Sequence, residues 1–308
     1  MLKVIDYKIH EVTDYIHWMY FFHAWGFQPH YASIHKIDNC PTCRANWVAN
    51  FPEAQREKAE EAAKLYIDAQ AMLRTMDTRW QTHGKFMLLK AWGEQDNIYI
   101  AAQPETQDKE HVIPCLRQQV ADKDCDYFLC LSDFLHERNR NSNDALDTLG
   151  AFCTTVDVAM EQSFDEEDPY NRMLVQTLCD RLAEATAERL HKDIRTRYWG
   201  YAPEENLTPE ECFAEKYQGI RPAAGYPSLP DLSINHVIDG FLNMGEIGIS
   251  LTENGMMYPH ASVSGLLFAH PEVRYFNIGR IDEEQLEDYA LRRGLPAHEI
   301  RRYLIANL

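Results

Sequence analysis

The sequence feature that most constrains the fold is the stretch 220–227 (IRPAAGYP), which lies between two segments with helical patterns. Pro222 fixes its own φ and pushes Arg221 towards an extended conformation, so a helix cannot continue through this point. Gly225 permits a positive φ or the close approach of a ligand to the main chain. The guanidinium of Arg221 suits a carboxylate, and the ring of Tyr226 suits a flat or cationic group. The stretch predicts either a site for an amino acid joined to a heterocycle or a proline-rich surface connection.

Length and charge restrict the class of protein. The chain has 308 residues, 45% of them hydrophobic, and a mean hydropathy of −0.46, which allows one large core or two smaller ones. No apolar run approaches the ~18 residues of a membrane-spanning helix. Charges break the N-terminal segment, unlike a signal peptide, so we expect a cytoplasmic protein. The formal charge of −18 argues against nucleic acid as a partner and fits a cationic ligand, a basic partner surface or solubility alone.

The eight cysteines predict reduced thiols, because disulfides are uncommon in a long chain without a signal peptide. Cys40 and Cys43 form the only C-x-x-C pair. With His30 and His35 they could make a four-ligand zinc site, or they could act as a redox pair. Because a second C-x-x-C pair is missing, a zinc or thiol protein stays an alternative interpretation.

Helical and strand patterns alternate without a regular βαβ rhythm, and the sequence G-x-G-x-x-G does not occur, which disfavours a Rossmann methyltransferase. We predict an α+β fold with an antiparallel sheet and surrounding helices, formed by residues 1–308 as a single unit. The predicted helices are 11–25, 53–76, 169–197, 209–219, 233–243, 282–294 and 296–308. The predicted strands are 2–9, 85–92, 97–102, 127–134, 149–155, 247–251 and 256–270. Residues 26–50 lack periodicity and are predicted to form loops.

Arg181 and Glu184 lie three residues apart on the longest predicted helix, so their side chains share a face. On residue types alone, a solvated ion pair is the simpler interpretation.

Two long runs resemble a known family. They are 200–227 (GYAPEENLTPEECFAEKYQGIRPAAGYP) and 251–276 (LTENGMMYPHASVSGLLFAHPEVRYF), and both closely resemble the activation domain of cobalamin-dependent methionine synthase. The family's R-x-x-x-G-Y motif, which binds S-adenosylmethionine, is matched by Arg221, Gly225 and Tyr226. The resemblance is strong from about residue 170 onwards and patchy before it.

The same resemblance implies further ligand-site residues on other elements. The run C-D-R-L-A-E-A at 179–185 places Arg181 and Glu184 at the S-adenosylmethionine site, and Asp180 where the family meets the cobalamin-binding domain. The remaining positions that it implies are Glu215, Tyr275 and Phe276.

Three residues depart from the family pattern. His17 stands in a D-Y-I-x-W-x-x-F-F stretch where the family has an aspartate that helps to bind the ligand. A neutral imidazole cannot pair with an α-ammonium group as a carboxylate does. Leu232 and Asn235 stand where the family's P-x-H-x-x-K pattern has histidine and lysine. These departures favour the alternative of a scaffold protein that kept the fold and lost the ligand.

The resemblance implies a reactivation module, which presents S-adenosylmethionine to an oxidised cobalamin while a flavodoxin-type donor supplies an electron. Because no cobalamin-binding or folate domain is evident, we expect a free-standing chain that acts on a separate methionine synthase chain. Asp180 and Tyr226 are then expected at the interface with its cobalamin-binding domain. No catalytic or metal-binding residue is predicted, because the methyl group already belongs to a sulfonium and positioning is the remaining task.

Overall fold

The computed structural model describes residues 1–38, 40–107, 109–121, 127–137, 146–162 and 168–308. The strands are β1 (Leu2–Lys8), β2 (Gln81–Glu94), β3 (Asn97–Ile100), β4 (His111–Pro114), β5 (Asp147–Val156), β6 (Ser250–Leu251), β7 (Met257–Tyr258) and β8 (Ser262–Leu267). The helices are α1 (Ile9–Val12), α2 (Trp18–Ala24), α3 (Pro41–Ala49), α4 (Glu53–Asp77), α5 (Val158–Gln162), α6 (Pro169–Asp193), α7 (Pro209–Phe213), α8 (Ile234–Leu242), α9 (Glu283–Arg293) and α10 (Ala297–Tyr303). None of the helices in these ranges is both long and apolar enough to cross a bilayer.

An antiparallel sheet organises the chain in the order β4-β3-β2-β5-β8, which confirms the predicted α+β fold. The long strand β2 pairs with β5 along one edge. Along its other edge it pairs first with β1 and then with β3, so both ends of the strand are used. A separate pair, β6 and β7, replaces part of the long strand predicted for 256–270.

Helices cover both faces of the sheet because alternate residues of its central strands are apolar on both sides. Phe86 and Phe152 pack on the face that carries α6, against Leu190. Met87 and Ala151, their immediate neighbours along the chain, pack on the opposite face with α8, α9 and α10. Helix α6 also packs against the N-terminal helices and α4, so it lies at the centre of the molecule.

The N-terminal part differs from the prediction. The helix predicted for 11–25 is interrupted: Ile16 is extended, with φ −71° and ψ 119°, and α2 starts after His17. The loops predicted for 26–50 are largely helical, with a 3-10 segment at Pro29–Lys36 followed by α3. Pro41 occupies the first turn of α3, where a missing N–H costs nothing, so local chemistry starts a helix despite weak periodicity.

The strand predicted for 127–134 is also wrong, apart from one bridge between Cys130 and Arg117. The chain forms a 3-10 turn over Leu131–Phe134 instead. The Asp133 carboxylate accepts a hydrogen bond from the Cys130 backbone N–H at 2.9 Å, and this local bond competes with strand pairing.

Cys40 and Cys43 are joined in a disulfide, so the prediction of reduced thiols is wrong for this pair. The free cysteines in the described residues are all buried; they are Cys115, Cys130, Cys153, Cys179 and Cys212. Cys125 lies outside the described residues.

The zinc interpretation gains no support from the structure. The disulfide uses both thiols, His35 Nδ1 is bonded to the Ala32 carbonyl, and His30 packs on a neighbouring tyrosine ring. Within the described ranges, no group of three or more histidine, cysteine or acidic side chains is arranged to hold a metal ion.

Candidate functional site

A cleft of about 530 Å³ lies between α6, the residues just before α2, and the stretch 220–228. This volume falls within the roughly 300–1,000 Å³ that small-molecule sites occupy. The predicted site residues that line it are His17, Arg181, Glu184, Glu215, Arg221, Tyr226, Tyr275 and Phe276. Side chains from opposite ends of the chain therefore meet in one place.

The stretch 220–227 lies along the free edge of β8. The Leu266 N–H donates to the Pro222 carbonyl at 3.0 Å, and the Ala224 N–H donates to the Ser264 carbonyl at 3.0 Å. Gly265 makes this approach possible, because a Cβ at that position would lie 2.8 Å from the Ala223 Cα and still closer to the Pro222 carbonyl oxygen. The sheet thus fixes the backbone that carries the arginine.

The turn at the end of the stretch 220–227 confirms the prediction that Gly225 adopts a positive φ. Gly225 has φ +85°, in the left-handed region, and its N–H donates to the Leu229 carbonyl at 2.8 Å. Gly225 does not line the cleft itself. The turn leaves the Tyr226 side chain 54% exposed at the cleft mouth.

Tyr275 and Phe276 hold the stretch from the other side. The Tyr275 hydroxyl accepts a hydrogen bond from the Arg221 N–H at 3.0 Å. The Phe276 carbonyl accepts a hydrogen bond from the Ser228 hydroxyl at 2.5 Å. Both aromatic residues therefore support the loop through polar atoms, and both line the cleft.

Arg221 forms an ion pair with Glu188, a residue that sequence reasoning missed. Glu188 is only 7% exposed, and Oε1 accepts the bond from the arginine. Its other oxygen, Oε2, and Arg221 Nε are buried without a hydrogen-bond partner among the described residues. The sequence did carry one signal: Glu188 follows Arg181 by two helical turns, which places both side chains on the same face of α6. Both residues line the cleft.

His17 enters the cleft through the interruption before α2. Its ring lies 4.4 Å from the Tyr20 ring and 4.7 Å from the Phe213 ring, measured between centroids. Burial lowers the pKa of His17, so the imidazole is neutral near pH 7. The position that carries an acid in the family is thus a packed, uncharged ring.

The carboxylates Glu184 and Glu215 have different surroundings. Glu184 accepts a hydrogen bond from Arg181 at 3.2 Å, so the pair three residues apart does form. Glu215 lies exposed at the rim with φ +54°, and the burial of part of its side chain raises the pKa of its carboxyl. The helix before it ends at Phe213, earlier than the predicted end at Gly219, and the left-handed residue turns the chain into the cleft.

Asp180 lies outside this cleft, in an adjoining one of about 290 Å³ that it shares with Tyr226 and His260. Burial raises the pKa of the Asp180 carboxyl. Tyr226, Arg181 and Glu184 line both clefts, so the two sites adjoin.

Leu232 and Asn235 do not line the cleft. The Leu232 side chain packs beneath Gly225, and Asn235 is fully buried, with its amide donating to the Gly255 carbonyl at 2.9 Å. Ser264 on β8 donates to the Asn235 side chain. The side chains of Leu232 and Asn235, the two residues that differ from the family pattern here, therefore pack behind the stretch 220–227.

Two comparisons place this geometry among known proteins. Residues 8–294 match the family described as vitamin B12 dependent methionine synthase, activation domain. A crystal structure of the MetH reactivation domain bound to AdoHcy superposes with a TM-score of 0.83 at 34% sequence identity. That match covers 100% of this chain and 90% of the other.

Proposed function

This chain belongs to the family of activation domains of vitamin B12 dependent methionine synthases, and we propose that it binds S-adenosylmethionine for the reductive methylation of an oxidised cobalamin. The cobalamin is carried by a separate methionine synthase chain, and a flavodoxin-type protein donates the electron. In this proposal residues 1–308 act as one unit in the cytoplasm.

The observation that carries the proposal is the ion pair between Arg221 and the buried Glu188, both of which line an aromatic cleft. Arg221 Nε and Glu188 Oε2 have no hydrogen-bond partner within the described part of the chain, and buried polar atoms of this kind are normally hydrogen-bonded. A ligand with a carboxylate and an ammonium group would satisfy both. The rings of Tyr20, Phe213 and Tyr226 supply the apolar walls that a flat base requires. The residues present therefore fit S-adenosylmethionine.

The chain's own part is to bind and orient. Bound S-adenosylmethionine supplies a methyl group that is already activated as a sulfonium, so no residue must act as acid, base or nucleophile. Arg221 fixes the carboxylate end, while the hydrogen bonds to β8 hold the arginine's backbone in place. Holding the reacting groups in the right position can lower the barrier to group transfer by a large share.

The partner surface is proposed at Asp180 and Tyr226. Tyr226 is exposed at the mouth of the ligand cleft, and Asp180 lies in the cleft next to it. A cobalamin-binding domain docked there would face the open side of the ligand site. The packing roles of Leu232 and Asn235 weaken the scaffold alternative, because neither side chain lines the cleft.

The test combines this protein with its cognate synthase in the cob(II)alamin state, S-adenosylmethionine and a reduced flavodoxin. We expect the absorption spectrum of methylcobalamin to develop only when the protein is present, and to develop slowly with Arg221→Ala. If the synthase is remethylated equally well without this protein, the reactivation role is wrong. A ligand-less scaffold then becomes the better interpretation.

A further inference from the structure

The ammonium group of an amino-acid ligand needs an acceptor in this cleft, and position 17 does not offer a charged one. His17 is neutral and packed between Tyr20 and Phe213. Packed against these two tilted rings, the imidazole serves as part of the aromatic wall.

The carboxylates that line the cleft differ in what they can still accept. Glu184 is already bonded to Arg181, and Glu215 is solvent-exposed at the rim. Glu188 is more than nine-tenths buried, and its Oε2 atom accepts no hydrogen bond from any described residue. A buried carboxylate oxygen without a donor is costly, and a ligand cation would remove that cost.

We propose that Glu188 Oε2 accepts the α-ammonium group of the ligand whose carboxylate binds Arg221. The two ligand charges are attached to one carbon atom, and the two protein charges are adjacent, so the pairs match in sign. Glu188 then makes the cleft specific for ligands that carry a complete amino-acid group. This inference rests on the proposed function, because it concerns the same ligand.

The experiment is isothermal titration calorimetry with two probes. One is S-adenosylhomocysteine, and the other is its analogue with hydrogen in place of the α-amino group and the carboxylate kept. The wild-type protein should bind S-adenosylhomocysteine at least about tenfold more tightly, which is the ratio expected for one charge-assisted hydrogen bond. Glu188→Gln should lose this preference by weakening only the amino-bearing probe.

A matched control is Glu287→Gln, an exposed residue of α9 that does not line the cleft. It should keep the wild-type preference, and far-ultraviolet circular dichroism should show all three proteins folded.

Four results would overturn the inference. Equal affinity of the wild type for both probes excludes an ammonium acceptor, and this comparison needs no variant to fold. A preference that survives in Glu188→Gln places the acceptor elsewhere. An equal loss for both probes means that Glu188 only holds Arg221. A wild type that binds neither probe rejects the proposed function as well, which separates that failure from the others.

Discussion

Replacing Gly265 by alanine tests how the sheet positions the site. The new Cβ would lie 2.8 Å from the Ala223 Cα and closer to the Pro222 carbonyl, so the stretch 220–227 must move away from β8. Two backbone hydrogen bonds at 3.0 Å would be strained or lost, at about 1 kcal/mol each. Overpacking adds about 1–3 kcal/mol, so we expect the free energy of unfolding to fall by about 3–5 kcal/mol.

The assay is urea denaturation followed by circular dichroism, together with calorimetry for S-adenosylhomocysteine. Affinity should also fall, although Gly265 does not line the cleft, because the backbone of Arg221 loses its support. Gly240→Ala is the matched control. Gly240 lies in α8 with a φ outside the left-handed region, and an added Cβ would meet no atom within 4 Å beyond the helix's own backbone. Alanine at this position should therefore stabilise the protein by about 0.5–1 kcal/mol. A Gly265→Ala protein that is as stable as wild type and binds equally well would show that the approach to β8 does not position Arg221.

Three further predictions concern single side chains. Arg221→Ala should weaken S-adenosylmethionine binding by about 1.5–3 kcal/mol, roughly 10- to 150-fold in calorimetry, and unchanged binding removes this residue from the site. His17→Asp should tighten binding by adding a carboxylate for the ligand's ammonium group; unchanged or weaker binding would show that the site is built around the packed imidazole. Burial disfavours the charged form of His83, but hydrogen bonds to Asp6 at 2.7 Å and Asp157 at 3.0 Å outweigh it and raise the pKa above 6.5. The two hydrogen bonds therefore stabilise the folded protein below the ordinary histidine pKa, and this stabilisation is lost as the pH rises through the raised pKa of His83. His83→Gln should then lower the free energy of unfolding, measured in urea, more at about pH 5.5 than at about pH 8.5. A loss that does not depend on pH would contradict this prediction.

Local chemistry allowed much of the fold to be predicted from the sequence. The periodicity of apolar residues predicted α4 and the long helix α6, which run over Glu53–Asp77 and Pro169–Asp193. The capping box beginning at Thr208 marked the start of α7, and Gly225 adopts the positive φ that glycine permits. These features depend on residues a few positions apart, so the sequence carries them directly.

The resemblance to a family named several of the residues that line the cleft, but it missed Glu188 and did not give their contacts. The sequence provided no means to see that Glu188 pairs with Arg221, or that His17 would pack against Phe213. The interruption at Ile16 was hidden as well, because the apolar spacing continues across it.

Only the tertiary structure decided how the binding stretch is held and which atoms are left for a ligand. Gly265 admits Pro222 and Ala223 to the edge of β8, and Glu188 on α6 reaches an arginine 33 residues away. Apolar periodicity specifies which face of an element is buried, but not which distant element it meets. Those pairings follow from the packing of the whole sheet against α6, so a local pattern cannot encode them.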